Sequence, residues 1–328
     1  MSADTDGTAF SDERLAMLAA LVNGDVSLAY RLSTELLAHG VGFDEIVGDV
    51  FGPVQTELGA RWAAGDIVVA DEHAASAAVE DLIVRLGATI ETPTGPSVVV
   101  AAAERDSHAL GARVVASALS LDGFRVLFLG ASVPAEDLGE YLDLHQPLAL
   151  ALSCSIAAAL AGARRCVVAA HDAGVPVVCG GRVVTAERAL RLGADAFARS
   201  PQDAIDRLRV WQLAAPAPLA SVPPPAPEQR ALDDRGHRLI ATALEAVPRG
   251  EAAKSRLGEE LARLLQVIDG ALVLEEPELV GEHVAWLRAI GHAHGVRPAS
   301  MDEALRALAA VMDGELHRAG DMLRVALV

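Results

Sequence analysis

A six-residue stretch, Asp106-Ser107-His108-Ala109-Leu110-Gly111, has the residue types of a metal-binding loop. It follows the apolar run 98–103, which predicts a strand that ends just before the histidine. Ligands of open α/β sheets bind at such strand ends. Asp106 can hold one imidazole nitrogen of His108 so that the other binds a metal, and Gly111 lets the backbone approach a large ligand. The alternative interpretation is a helix N-cap beside a solvated histidine.

Two further segments follow predicted strands and could line the same crevice. Ser153-Cys154-Ser155 comes after the third predicted strand, and Gly180-Gly181 comes after the fourth. Serine hydroxyls can bond a buried nitrogen, and paired glycines make room for a flat ring. Each segment alone is a common loop or turn. Their order and spacing at successive strand ends favour a single ligand crevice.

Alternating strand and helix patterns position these segments. Strands are predicted at 97–103, 125–129, 148–152 and 175–179, with a weaker fifth near 195–198, and helices at about 108–121, 135–144, 157–173 and 186–192. Strands that alternate with helices form a parallel sheet with right-handed crossovers, here flavodoxin-like. The strands read as continuous apolar runs, as expected when helices cover both faces of a sheet.

Helical segments flank this α/β region on both sides. Ahead of it, four amphipathic helices with short connections predict an up-and-down bundle, with a kink at Gly52-Pro53. After it, a proline-rich linker leads to a further all-α region. The predicted divisions are a helical cap at 10–90, an α/β domain at 96–213, a linker at 214–228 and a helical domain at 229–328.

Composition excludes several classes of function. The net charge is -18, and Lys254 is the only lysine, so no basic stripe is available to contact nucleic acid. No run of about 20 apolar residues predicts a membrane span. The three cysteines, Cys154, Cys166 and Cys179, lie in apolar contexts, which favours reduced thiols in a cytoplasmic protein.

The crevice segments together resemble the cobalamin-binding motif set DxHxxG, SxL and GG. The matching positions are Asp106-x-His108-x-x-Gly111, Ser153-x-Ser155 and Gly180-Gly181, and Leu129-Gly130-x-x-Val133-Pro134 resembles the segment after the family's second strand. The resemblance implies that His108 ligates cobalt from below and that Asp106 is its partner. It also implies that Ser153, Gly180 and Gly181 line the crevice for the dimethylbenzimidazole tail. Two departures are Ser155, where the family has leucine or threonine, and a slightly short last spacer.

The helical region ahead of the sheet resembles the cap bundle that covers the upper corrin face in this family. Within it, Trp62 is followed after nine residues by Glu72-His73, which is similar to the signature of CarH-type cobalamin photoreceptors. The resemblance implies that Trp62 and Glu72 contact the 5′-deoxyadenosyl group. It also implies that His73 ligates cobalt from above after light breaks the cobalt–carbon bond. The alternative is that Trp62 is bundle core and Glu72-His73 a solvated helix start.

The whole layout resembles the photocobilins, in which a C-terminal globin-like domain binds biliverdin. Here that resemblance lies in the order of the domains rather than in a bilin-binding motif. A bilin needs an apolar slot, a polar group near its pyrrole nitrogens and cations for its propionates. The candidates are His283, Trp286, Arg288, His292 and His294. No cysteine lies beyond Cys179, so a thioether-linked bilin is excluded in this region.

We therefore expect a light sensor that uses adenosylcobalamin, with biliverdin as a second chromophore. The expected protein is not an enzyme, forms a homo-oligomer, and acts on a signalling partner that the sequence does not name. One alternative is a corrinoid carrier for methyl transfer, which shares the cap and the sheet. Another is a cobalamin- or haem-responsive sensor whose C-terminal helices bind haem or only oligomerise.

Overall fold

The computed structural model describes residues 10–88, 93–214, 216, 226–247, 251–293, 298–312 and 316–328. Within these ranges, the side chains of 251–253, 291–293 and 298–299 are not described. The chain forms a helical cap, a parallel sheet with helices on both faces, and a C-terminal set of helices. The predicted helical and parallel-sheet architecture is therefore confirmed.

The cap is built from amphipathic helices around one apolar core. Its elements are α1 (Ser11–Val22), α2 (Val26–Ala38), the short α3 (Phe43–Glu45), a π-helical segment (Ile46–Phe51), α4 (Gly52–Ala64) and α5 (Val69–Leu86). Met17, Leu58 and Leu82 are fully buried where α1, α4 and α5 meet. A π-helical turn leads into Gly52-Pro53, where the sequence predicts a kink, and the Gly52 N–H bonds to the Val47 carbonyl. Proline has no N–H to donate within a helix, and the wider hydrogen bonding of the π-helical turn accommodates this interruption.

Five parallel strands form the sheet in the order β2-β1-β3-β4-β5. They are β1 (Ser97–Ala102), β2 (Arg125–Gly130), β3 (Ala149–Ser153), β4 (Val177–Gly180) and β5 (Ala196–Ala198). This is the flavodoxin-like order. Alternate residues of β1 supply two cores, since Val98 and Val100 face one layer of helices and Val99 faces the other.

The helices of the sheet region cover both of its faces. They are α6 (Leu110–Leu121), α7 (Ala135–His145), α8 (Leu160–Asp172), which follows a 3₁₀ turn at Ala157–Ala159, α9 (Ala186–Leu192) and α10 (Pro201–Leu213). The sequence analysis did not predict α10. Its start carries a local signal, because Ser200 and Asp203 cap each other and Pro201 occupies the first helical position.

In the part of the chain that the structure describes, five helices follow the proline-rich segment. They are α11 (Pro227–Glu245), α12 (Glu251–Leu274), α13 (Glu278–Ala293), α14 (Pro298–Val311) and α15 (His317–Ala326). An all-α C-terminal region is therefore present, while its globin-like arrangement stays a prediction. Glu228 of α11 accepts hydrogen bonds from the Arg318 and Ala319 N–H groups, so it caps α15 from another helix.

Helix α12 joins the C-terminal helices to the sheet region. It packs on α8, α9 and the 3₁₀ turn, and the apolar core on that face of the sheet continues into the C-terminal helices. Gly270 permits the close approach, because a Cβ there would lie 3.2 Å from the Ala157 carbonyl oxygen. Buried apolar surface thus links the two regions over a broad contact.

Within the described residues, no helix has both the length and the apolar character needed to cross a membrane.

Candidate functional site

The sequence-predicted motif residues meet at the carboxyl edge of the sheet. His108 lies in the loop after β1, Ser153 ends β3 and Gly180 ends β4, and these three strands are neighbours. Helix α6 after β1 packs on one face of the sheet, whereas α8 after β3 packs on the other. The helical connections therefore leave β1 and β3 toward opposite faces of the sheet. A crevice opens between the ends of these two strands, at the position where such sheets bind ligands.

Asp106 is a fully buried carboxylate that organises the loop after β1. One of its oxygens accepts hydrogen bonds from His108 Nδ1 at 2.9 Å and from the His108 N–H at 3.0 Å. The other accepts from the Ser155 N–H at 2.5 Å. Asp106 therefore fixes the His108 ring and also ties the loop after β1 to the loop after β3.

The His108 side chain is 55% exposed, although its partner Asp106 is buried. Because Nδ1 bonds to the carboxylate, this nitrogen carries the proton when the imidazole is neutral. The Nε2 atom then keeps the lone pair that a metal needs. The arrangement suits a histidine that presents one nitrogen to a metal.

The segment after β2 supports the histidine loop from the side. The Ser132 N–H donates to the Asp106 carbonyl at 2.9 Å, and Ser132 Oγ accepts from the Arg105 N–H at 3.2 Å. Both Arg105 and Ser132 have positive φ values, 69° and 51°, which non-glycine residues seldom adopt. Sequence analysis selected the adjacent Val133-Pro134 and missed Ser132, since a lone serine carries no motif signal.

Gly111 lets α6 pass close to the serine segment after β3. A Cβ at this position would lie 3.0 Å from Ser153 Oγ and 3.8 Å from Ser155 Oγ. The two serine hydroxyls therefore lie against the glycine backbone, and a side chain at position 111 would displace them. The resemblance to the cobalamin motif set implies that Ser153, on this wall, lines the crevice for the dimethylbenzimidazole tail.

The glycine pair lies at the opposite wall. Gly180 pairs with Ser153 across β3 and β4, and its carbonyl accepts from the Cys154 N–H at 2.9 Å. Gly181 has a φ of 112°, and a Cβ there would collide with the Cys154 backbone. Only glycine fits this turn without displacing the serine segment.

The cysteines between these motifs do not supply a nucleophile. Burial raises the pKa of the Cys166 thiol to about 11 and that of Cys179 to about 12. Burial also raises the pKa of Cys154 well above its usual range, and the neighbouring Cys179 raises it further. All three thiols are protonated near neutral pH, so they act as small apolar side chains.

In the cap, the upper-face candidates lie at the junction of α4 and α5. Trp62 is partly buried near the end of α4, and Glu72 and His73 lie in the first turns of α5. Glu72 Oε2 lies 2.6 Å from His73 Nδ1, while 75% of the His73 side chain is exposed. His73 is thus held through one nitrogen by a carboxylate, as His108 is.

The cap packs directly beside the histidine loop. Leu110, two residues after His108, packs against the apolar core of the cap, and so does Val114 one turn later. Helix α5 also packs along α6. The cap is therefore anchored to the helix that leaves the crevice, which brings both groups of candidates to one part of the molecule.

The C-terminal candidates fall into two groups. His283 and Trp286 stack on each other with ring centroids 5.4 Å apart, and Trp286 lies 6.4 Å from Trp62 of the cap. Arg288 instead binds Asp302 at 2.9 Å. The side chain of His292 and the whole of His294 lie outside the described residues. Two aromatic candidates thus lie next to the cap, which sequence analysis did not foresee.

His283 has an unusual environment. Its Nε2 is buried and has no hydrogen-bond partner among the described residues. Burial lowers the pKa of this imidazole to about 4, with a smaller contribution from Arg263. His283 is therefore neutral near pH 7 and can accept a hydrogen bond from a bound ligand.

Comparison with known families agrees with this geometry. Residues 96–209 match the family described as B12 binding domain, and residues 14–86 match a second family of the same description. These two matches indicate a cobalamin or corrinoid cofactor for the region of the cap and the sheet. The buried Asp106 that holds Nδ1 of the exposed His108 fits a cobalamin held through one imidazole.

Two kinds of curated protein are similar to this chain. The trimethylamine corrinoid protein of Methanosarcina barkeri is 27% identical over 199 residues, covering 58% of this chain and 92% of that protein. The HTH-type transcriptional repressor CarH of Myxococcus xanthus is 33% identical over 111 residues, covering 34% of this chain and 36% of that protein.

A solved structure, the monomethylamine corrinoid protein of Methanosarcina barkeri, has a similar fold. It superposes with a TM-score of 0.50 at 24% identity, covering 59% of this chain and 96% of that one. The shared part has the size of the cap and sheet together. The rest of this chain lies outside the superposed part, and it is long enough to include the five C-terminal helices that the structure describes.

Proposed function

We propose that this protein is a light sensor that holds adenosylcobalamin between its cap and its sheet and signals through its C-terminal helices. His108 would hold the cofactor from below, and Trp62 and Glu72 would contact its adenosyl group. When bound, adenosylcobalamin supplies a cobalt–carbon bond that light cleaves. His73 would then occupy the vacated upper face. The similarity to CarH over 111 residues supports a sensor of this type, and the spacing of Trp62, Glu72 and His73 supports these roles for the cap residues.

The contact between Trp62 and Trp286 carries the proposal. Their ring centroids are 6.4 Å apart, within the range of favourable aromatic pairs. Helix α13 also packs on α4 around this pair. Any displacement of Trp62 at the upper face must therefore alter the contact with the C-terminal helices.

A second set of contacts joins the C-terminal helices to the loop that carries His108. Arg165 of α8 binds Glu104, two residues before Asp106, at 2.8 Å, and lies 3.5 Å from the buried Asp269 of α12. Arg105 also reaches Asp233 of α11 at 3.3 Å. The C-terminal helices thus contact both the cap and the loop that carries His108. Such contacts suit a region that responds to the state of the cofactor.

Illumination of the loaded protein tests the proposal. After adenosylcobalamin is added in the dark, green light should change the absorption spectrum and increase hydrogen exchange in α13. Trp286→Ala should keep the spectral change but lose the exchange response, while Trp286→Phe should retain both because it keeps a ring. A spectrum that light leaves unaltered would refute the sensor, and a spectral change without an exchange response would refute the signalling route.

The corrinoid carrier is the second candidate, favoured by the 27% identity to the trimethylamine corrinoid protein over most of that protein's length. A carrier must expose the upper corrin face to an enzyme partner, and α13 packs against the cap at Trp62. His73→Ala separates the two candidates. A sensor should lose its light-adapted spectrum in this variant, whereas a carrier should be demethylated and remethylated as before.

Biliverdin in the C-terminal helices is a further part of the proposal. The buried Nε2 of His283, without a partner among the described residues, supports a ligand beside Trp286. Arg288 would have to exchange Asp302 for a propionate, which weakens its candidacy. Biliverdin and haem should be added separately to the protein and to His283→Phe. A new band with biliverdin that the variant loses is expected; a band with haem alone would favour the haem-responsive sensor.

A further inference from the structure

We propose that Gln55 and Ser76 are positioning residues for His73. They hold the Glu72 carboxylate, which in turn keeps the proton of His73 on Nδ1 and leaves Nε2 able to ligate cobalt. This inference rests on the proposed role of His73 at the upper face and adds two residues that no motif contains. Neither residue was selected from the sequence.

Both oxygens of Glu72 have described partners. Oε2 lies 2.6 Å from His73 Nδ1, and Oε1 accepts from Ser76 Oγ at 2.9 Å. Ser76 Oγ also lies 3.0 Å from Gln55 Oε1 on the neighbouring helix α4. A chain of side chains therefore runs from α4 through Ser76 and Glu72 to the imidazole.

The number of available hydrogens sets the direction of donation along this row of hydrogen-bonded side chains. The Ser76 hydroxyl has one hydrogen and cannot donate to both Gln55 Oε1 and Glu72 Oε1 at once. In the same arrangement Gln55 Nε2 is buried and has no partner among the described residues. Turning the Gln55 amide end for end removes the first conflict, because Nε2 then donates to Ser76 Oγ and the serine hydrogen is available for Glu72. The amide atom left in the unpartnered buried position is then the oxygen, and buried acceptors lack a partner more often than buried donors do.

In that arrangement every hydrogen points toward the Glu72 carboxylate. Gln55 donates to Ser76, Ser76 donates to Glu72, and His73 donates from Nδ1 to the other carboxylate oxygen. A carboxylate that receives several donors is confined to one rotamer and one orientation. Glu72 is only 24% exposed, so water competes weakly for these bonds, whereas His73 is 75% exposed and depends on Glu72 for its orientation.

The position of Gln55 links the chain to the other upper-face residue. Gln55 and Trp62 are seven residues apart on α4, which places them on the same face of that helix, two turns apart. Helix α4 therefore presents the tryptophan and the amide toward the same side of the cap. A shift of α4 would move Trp62 and loosen the hold on His73 together.

Nitrogen NMR of the apo protein tests the inference without any cofactor. In the neutral imidazole of His73, the signal of Nδ1 should be that of a protonated nitrogen. Ser76→Ala and Gln55→Ala should raise the fraction with the proton on Nε2, because Glu72 is then free to turn away. Ser76→Thr should restore the parent spectrum, since it keeps the hydroxyl. Thr56→Ala is the matched control, because that hydroxyl donates to the Gly52 carbonyl within α4.

The cobalamin-loaded protein provides the second readout. Because residues that orient a metal-bound histidine change metal affinity by about 10–100-fold, Ser76→Ala should reduce binding of His73 to cobalt about tenfold after illumination. The measurement is the absorption of the light-adapted state against added imidazole. Thr56→Ala and Ser76→Thr should behave as the parent does.

The two readouts separate this inference from the proposed function. If the loaded parent protein does not respond to light, the proposed function fails, while the apo spectra still report the His73 tautomer. If Ser76→Ala and Gln55→Ala leave that tautomer and the occupancy of the upper face as in the parent, the two residues only pack the bundle and the inference is wrong.

Discussion

Replacing Asp106 by asparagine removes one acceptor from a buried site that serves three donors. The carboxylate accepts from His108 Nδ1, the His108 N–H and the Ser155 N–H. An asparagine keeps a single oxygen. If that oxygen faces His108, its NH₂ group faces the Ser155 N–H, and two donors then confront each other.

The expected loss of stability is about 2–4 kcal/mol. A hydrogen bond to a charged group contributes about 1.5–3 kcal/mol, and a buried donor left without an acceptor costs about 1–3 kcal/mol. These two costs overlap, because they describe the same Ser155 N–H. Removing a buried charge also relieves its desolvation, which offsets part of the loss. The cost of the unsatisfied donor exceeds this relief, so the substitution should lower the free energy of unfolding. Asp106 is fully buried, and water therefore cannot replace the missing oxygen.

Hydrogen exchange of the Ser155 amide is the most direct assay, with a urea unfolding curve as the global measure. In the parent protein this amide should be protected, and in Asp106→Asn it should exchange much faster. Cobalamin affinity should fall about 10–100-fold, because the His108 ring loses its fixed orientation. Ser107→Ala is the matched control, since that exposed side chain lies in the same loop.

A second variant separates the ligand from its support. His108→Ala should keep the Ser155 amide protected, because the Asp106 bond to Ser155 remains, yet it should abolish ligation from below. The reasoning is refuted if Asp106→Asn retains both the parent urea midpoint and the protection of Ser155. It is refuted equally if His108→Ala exposes that amide.

Three further predictions concern other parts of the chain. Gly111→Ala should lower cobalamin uptake in a titration, because the added methyl group would lie 3.0 Å from Ser153 Oγ and would displace that hydroxyl from the crevice wall. The same crowding should offset the gain of about 0.5–1 kcal/mol that alanine has over glycine in a helix, so the urea midpoint should change little. An unaltered uptake would contradict the assigned wall. The free energy of unfolding should fall by up to about 3 kcal/mol as the pH is lowered from 6.5 to 4. The reason is that His283 takes up a proton near its ordinary pKa in the unfolded state but only at a pKa of about 4 in the folded state. In His283→Phe, the urea midpoint should lose this part of its dependence on pH. Arg165→Met should lower the free energy of unfolding by about 3 kcal/mol, because Asp269 is then buried without its cation. In a double-mutant cycle, the variant that combines Arg165→Met with Asp269→Asn should recover much of this loss. If the effects of the two substitutions simply add, the pair is not coupled.

Some features of the fold and site could be predicted from the sequence because their causes are local. Apolar runs with intervening helical patterns predicted all five strands within a few residues of their observed bounds. His108 and Asp106 are two residues apart, so one loop brings them together. Glu72 and His73 are adjacent in the same way. The motif set sufficed to predict a cobalamin crevice, because every parallel strand ends at the same edge of the sheet.

Other features depend on how distant segments dock. Asp106 bonds to Ser155, which is 49 residues away, and Trp62 meets Trp286 only because α13 lies against α4. Gln55 and Ser76 lie on different helices, and a polar residue inside a bundle has no periodicity of its own. Sequence patterns describe which face of an element is apolar, whereas the pairing of single polar or aromatic side chains follows from the relative placement of whole elements.

The sequence by itself therefore determined the cofactor class, the parallel sheet and the two histidines proposed to meet the cobalt. The tertiary structure decided how those histidines are held and that the C-terminal helices touch both the cap and the loop of His108. The physical reason is range. Periodicity and motif spacing act over one or two elements. The backbone N–H of Ser155, the indole of Trp286 and the carboxylate of Asp269, by contrast, meet their partners only after separate elements have packed.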